Sequence, residues 1–189
     1  MAYTHGTPEW EAAYVQKTKE RMESQPKPYI YFMPEWVGAW ENFLKADPIY
    51  KSVALPDWQG AVVLHVQKNP DFGVDQDIYV YLDLHKDQCR SIRIVPSEYG
   101  KKGAYVITGS IERWMAVGKK QLDVVKGMMQ GKLKLKGNLP AIVRAIKPAV
   151  RLVEAAAEVG GSMPDEWSPA QIETVRKTIK ELAAEFNID

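Results

Sequence analysis

The stretch Gly131–Asn138, which reads Gly-Lys-Leu-Lys-Leu-Lys-Gly-Asn, leaves few choices of local structure. Alternation with a period of two is the mark of a strand with one buried face. Leu133 and Leu135 then point inward, and Lys132, Lys134 and Lys136 point to the other side. Asn138 is a ready helix N-cap. Beyond it, Leu139, Ile142, Val143, Ile146, Val150, Val153 and Ala157 recur every three or four residues, which predicts an amphipathic helix over 139–158. Its solvent stripe reads Arg144, Lys147, Arg151, Glu154 and Glu158. Pro148 removes one backbone hydrogen bond and predicts a kink between Arg144 and Lys147. Gly160-Gly161 ends the helix.

The rest of the chain supplies a sheet for that strand to join. Thr7-Pro8 opens a first, well-charged helix that carries Trp10, Tyr14 and Met22, and the prolines at 26 and 28 end it. Pro34 opens a second helix with an aromatic stripe of Trp36, Trp40 and Phe43. Strands are predicted over 60–68, 77–85, 89–95 and 103–108, with Asn69–Gly73 as a turn and Lys86–Gln88 as a hairpin-sized link. Links this short predict antiparallel pairing. Two short helices follow, one from Ser110 to Gly118 and one from Gln121 to Gln130. Ser168-Pro169-Ala170-Gln171 is a capping box that opens the last helix.

Bulk numbers exclude several classes. With 189 residues and 46% hydrophobic side chains, a sizeable core is available. A formal charge of +1 gives no support for a dedicated nucleic-acid binder. No apolar run is long enough to span a bilayer, and the first twenty residues lack an apolar signal core. The lone Cys89 cannot form an internal disulfide. A cytoplasmic location is the expectation.

The strand Ala104–Thr108, the helix with Trp114, the break at Gly118 and the run Met129–Asn138 together resemble the sterol carrier protein type 2 family, a sterol- or lipid-binding domain. The resemblance spans roughly 33–159 and is most specific over its last third. It implies an α+β fold, with a mostly antiparallel sheet of about five strands covered on one face by helices. An apolar tunnel between sheet and helices would hold a fatty acyl chain, acyl-CoA or sterol-like lipid. It implies no catalytic residues, no cofactor and no metal. The division expected is an N-terminal helical extension over 1–28, the lipid-binding domain over 29–160, and a C-terminal helix over 161–189 on the domain or on a partner subunit.

On this reading Met115, Met128, Met129, Leu133, Leu135, Ile142, Val143 and Ile146 line the tunnel, because they are the apolar positions on its walls. The methionines suit a variable apolar ligand and suit ordinary core packing equally. The three-lysine row reads as a solvated strand face or protected edge, with an anionic membrane surface as the other reading. Trp36 and Trp40 either pack under the sheet or cover a ligand entrance. His65 and His85, with Asp83, suggest a metal site or a base, but no set of ligands sits at a recognisable metal spacing, and solvated or hydrogen-bonded strand histidines are the better reading. Cys89 has Arg90 beside it, which would lower its pKa, against burial, which would make it inert. The partner expected is an apolar lipid or acyl-CoA, and the chain is compatible with transient membrane contact and with a homodimer. The alternative is a dimerisation or protein-interaction module that keeps the fold without the cavity.

Overall fold

The computed structural model describes residues 1–189. Five strands form one sheet in the order β3-β2-β1-β4-β5: β1 Val62–Val66, β2 Ile78–His85, β3 Gln88–Val95, β4 Tyr105–Gly109 and β5 Lys134–Lys136. The family-type α+β fold is therefore present, with nine α-helices around the sheet. β1–β2, β2–β3 and β4–β5 pair antiparallel. The pair β1–β4 is parallel, against the expectation from short links. The link from β3 skips two strands to reach β4 through a single helical turn, α4 (Ser97–Gly100).

Glycine makes so short a crossover feasible. The link lies flat on the back face of the sheet, over the small cluster Val63, Tyr79, Val95 and Val106. A Cβ at Gly100 would sit 2.6 Å from the Cβ of Tyr79, and one at Gly103 would sit 2.4 Å from a methyl of Val63. Gly100→Ala is therefore expected to destabilise the fold by about 1–3 kcal/mol through overpacking, read as a lowered urea midpoint at unchanged slope.

The other sheet face carries Val62, Leu64 and Val66, opposite Leu82, Val80 and Ile78. Helices cover it: α2 (Pro34–Ala46), α3 (Pro48–Val53), α5 (Ile111–Gly118), α6 (Val124–Met129), α7 (Leu139–Arg144) and α8 (Ile146–Val159). α3 starts on Pro48, a residue favoured at the first helical position. Asp47 caps it, accepting from the N–H groups of Ile49 and Tyr50 at 3.1 Å each. The long helix is divided, with Ala145 at non-helical angles between α7 and α8. Ala145 lies three residues before Pro148, where the ring removes the N–H that Arg144 would receive.

The two ends of the chain join the same core. α1 (Pro8–Ser24) buries Trp10 and Tyr14, and α9 (Pro169–Phe186) buries Phe186 beside them. The Trp10 indole donates to the Phe186 carbonyl at 3.0 Å. The Ile94 N–H donates to the Tyr14 hydroxyl at 2.8 Å. Arg21 of α1 bonds both Glu35 of α2, at 2.8 Å, and Thr178 of α9, at 3.0 Å. The C-terminal helix thus packs on its own chain, across α1.

Candidate functional site

The alternating side chains of the strands and the inner faces of the helices do not fill the space between them. They leave a cavity of about 110 Å³, and 23 of its 26 lining residues are hydrophobic. Val62, Leu64, Leu82, Leu84 and Ile107 form the sheet wall. Trp36 and Trp40 come from α2, Tyr50 from α3, Trp114 and Val117 from α5, and Val124 and Met128 from α6. Ile142 of α7 and Pro148, Ala149, Leu152 and Val153 of α8 close it. At about 15 Å³ of such space per water-sized group, there is room for about seven.

The tryptophans hold the frame open because their polar ends are committed elsewhere. The Trp40 indole donates to the Leu152 carbonyl at 3.2 Å, and that of Trp36 to the Gly160 carbonyl at 3.0 Å. Trp114 donates to the His65 carbonyl at 3.0 Å and Trp58 to that of Gly60 at 3.0 Å. The rings of Trp36, Trp40 and Trp114 thus reach across to distant backbone, Trp58 bonds within its own loop, and all four offer only carbon to the cavity. Lys86, exposed at the β2–β3 turn, is the single charged side chain in the lining.

Of the residues expected to line a tunnel, the structure places Met128 and Ile142 in the wall of this cavity. Leu133 is buried outside the lining, wedged against Gly109 and Gly127. Met115 and Leu135 are half-buried and pack on the core without entering the cavity wall. Met129, Val143 and Ile146 face solvent, at 64%, 40% and 43% exposure. For Val143 and Ile146 the outward placement has one physical cause: α7–α8 is rotated relative to its hydropathy. The inner face is Ile142, Ala145, Pro148, Ala149, Leu152 and Ala156, where small side chains allow close packing on α2. The branched aliphatics Val143, Ile146 and Val150 are left outside.

Arg151, expected in the solvent stripe, is buried instead. Its guanidinium donates to Asp47 at 2.7 Å and to Glu158 at 2.6 Å, and it lies over the Phe43 ring. The pair ties α8 to the cap of α3. The hydrogen bond from Arg151 holds the Asp47 carboxyl below its ordinary 3.8, assisted by the N–H groups of Ile49 and Tyr50 against the effect of burial.

The polar candidates lie away from the cavity. His65 Nε2 is 2.7 Å from Asp77 and Nδ1 is 2.9 Å from Thr108, on the back face and stacked on Tyr79. Burial would raise the Asp77 carboxyl; the bonds from His65 and the Lys68 N–H more than offset it and leave it below its ordinary value. His85 pairs with Gln88 at the far end of β2, so the two histidines are not neighbours. No group of three or more His, Cys, Asp or Glu could hold a metal ion. Burial, more than any neighbouring charge, pushes the Cys89 thiol up to about 12. A wider hollow of about 340 Å³ on the back face is walled by His5, Tyr81, Asp83 and Arg93. Arg93 there is already held by Glu11 at 2.8 Å and by Glu41.

The aromatic wall was the part that sequence reasoning underweighted. Tyr31, Phe32, Tyr50 and Trp58 line the cavity as well, and only the density of aromatic residues between 29 and 58 hinted at it.

Residues 41–147 match the model of the SCP-2 sterol transfer family. The fold is similar to a crystal structure of sterol carrier protein 2, at 28% identity and a TM-score of 0.59, over 66% of this chain and 95% of that one. It is also similar to the solution structure of a conserved hypothetical protein from Thermus thermophilus, named as a possible sterol carrier protein. There the identity is 28% and the TM-score 0.64, over 72% of this chain and 94% of that one. No curated protein sequence matches the chain at a significant level.

Proposed function

The chain belongs to the SCP-2 sterol transfer family, and on that premise we propose that it binds an apolar lipid tail, without catalysis, in the cavity between sheet and helices and hands it on to an acceptor. The observation that carries this reading is the chemistry of the lining, hydrophobic at 23 of 26 positions. Such a space is poorly hydrated and gains by filling with hydrocarbon. Each buried methylene contributes about 0.8 kcal/mol, so seven would supply about 6 kcal/mol before the costs of association. Lys86 at the rim suits an acidic head group, which favours a fatty acid or acyl-CoA over a neutral sterol.

The test is direct. The purified protein is extracted with organic solvent and the extract is read by mass spectrometry, alongside displacement of a fluorescent fatty acid. A reproducible stoichiometric lipid, or saturable displacement, is expected. An empty extract with no displacement overturns the reading. Lys86→Glu is expected to weaken fatty-acid binding by about threefold, the size of an exposed ion pair, and to leave a neutral sterol unaffected.

A further inference from the structure

The side chains of the cavity wall that carry a nitrogen or oxygen are Lys86, four tryptophans, Tyr31 and Tyr50. The indoles are all donated to backbone carbonyls. The two phenols are different. Tyr31 is 5% exposed and Tyr50 2%, yet neither hydroxyl has a hydrogen-bond partner in the protein. Tyr14 and Tyr29, buried outside the cavity, by contrast bond the main chain at Ile94 and Met22. The one fully enclosed side-chain polar atom without a partner is the Thr18 hydroxyl, so the oxygens of Tyr31 and Tyr50 touch open space rather than packed side chains. Burial raises both phenols above their ordinary 10, and both stay hydroxyls that donate as well as accept. They stand in different parts of the wall. Tyr50 lies by the β2–β3 turn, near Cys89 and Asp87, where Lys86 forms the rim. The Tyr31 ring lies against Gly118, at the end of α5, and Gly161, beyond α8.

We infer that the ligand of this cavity is an oxygenated acyl chain, a hydroxy or keto acid whose carboxylate meets Lys86 and whose chain oxygen bonds Tyr50 near the head or Tyr31 further along. A hydroxyl withdrawn from water without a partner is costly, and plain hydrocarbon laid against it leaves that cost in place. A ligand oxygen at the same point removes it. A wall that needed only bulk would be served as well by phenylalanine, as it is at Phe32. Polar groups placed to bond a ligand oxygen also discriminate against the analogue that lacks it, because they are then left unpaired. The inference rests on the lipid-binding reading and narrows the ligand of that same site.

Displacement of a fluorescent fatty acid from the full chain by octanoic acid, β-hydroxyoctanoic acid and ω-hydroxyoctanoic acid tests it. Each hydroxy acid is expected to bind about fivefold tighter than octanoic acid, the size of one net hydrogen bond. Tyr50→Phe should abolish the gain from the β-hydroxyl and keep that from the ω-hydroxyl, and Tyr31→Phe should do the reverse. Each variant removes a single oxygen, so octanoic acid itself should bind both as well as it binds the wild type. Thermal unfolding of the free variants should show midpoints unchanged or raised, because the lost hydroxyl had no partner in the protein. A wild type that binds all three acids equally overturns the inference and leaves the lipid-binding reading standing. Gains that survive in both phenylalanine variants overturn it in the same way. Failure of the fluorescent fatty acid and of all three acids to bind overturns the lipid-binding reading, and the inference with it.

Discussion

Arg151→Ala is expected to destabilise the fold by about 3–5 kcal/mol, because it leaves a buried carboxylate without its counter-charge. Arg151 and Asp47 are both about 5% exposed, and their contact at 2.7 Å joins helix α8 to the helix turn at Pro48. Few surface substitutions approach this size. Equilibrium urea unfolding at neutral pH measures it. The pair also sets an acid dependence. The folded state holds the Asp47 carboxyl below 3.8, mainly through Arg151, so the unfolded chain takes up that proton more readily. Its contribution is complete above about pH 4 and fades as the pH falls through the folded-state value. Asp47→Asn should therefore be less stable than wild type at neutral pH and approach it in acid. A constant gap between the two across that range would contradict the assignment.

Ile142→Trp is expected to abolish tight lipid binding. Ile142 is 5% exposed and faces the cavity, so the larger ring has only that space to occupy. Displacing about four methylenes of ligand costs about 3 kcal/mol, more than a hundredfold in affinity. Val143→Trp, one residue on and 40% exposed, should leave the affinity within about threefold. Titration with a fluorescent fatty acid separates the two, with thermal unfolding as the control for folding. Equal losses in both variants would place the ligand somewhere other than this cavity.

The pair at 142 and 143 also shows where the sequence could be read and where it could not. Both are branched aliphatics in one amphipathic pattern, and hydropathy assigns them the same side. The folded chain separates them, because the face that packs on α2 is chosen by shape. Ala145, Ala149 and Ala156 are small enough to let Trp36 and Trp40 lie against the helix and bond its backbone. Arg151 is a similar case. Its charge predicts solvent, and its partner Asp47 is remote in sequence, where no periodicity can find it. The strands were easier. Leu82 and Leu84 alternate with Tyr81 and Asp83, and that alternation alone sets which face the sheet buries.

The sequence by itself determined the five strands and the inner face of each, and most of the helices with four of their caps. Thr7, Ser110, Asn138 and Ser168 cap where their side chains indicated, because capping needs only groups three residues apart. The Gly131–Asn138 run, with its Lys and Leu sorted to two sides, is of the same local kind. The tertiary structure decided the parallel entry of β4, the rotation of α7–α8 and the cavity. These depend on close approach at Gly100 and Gly103 and on bulky tryptophans set against alanines. A cavity is a place where packing stops, and it is fixed by side-chain volumes brought together from the whole chain.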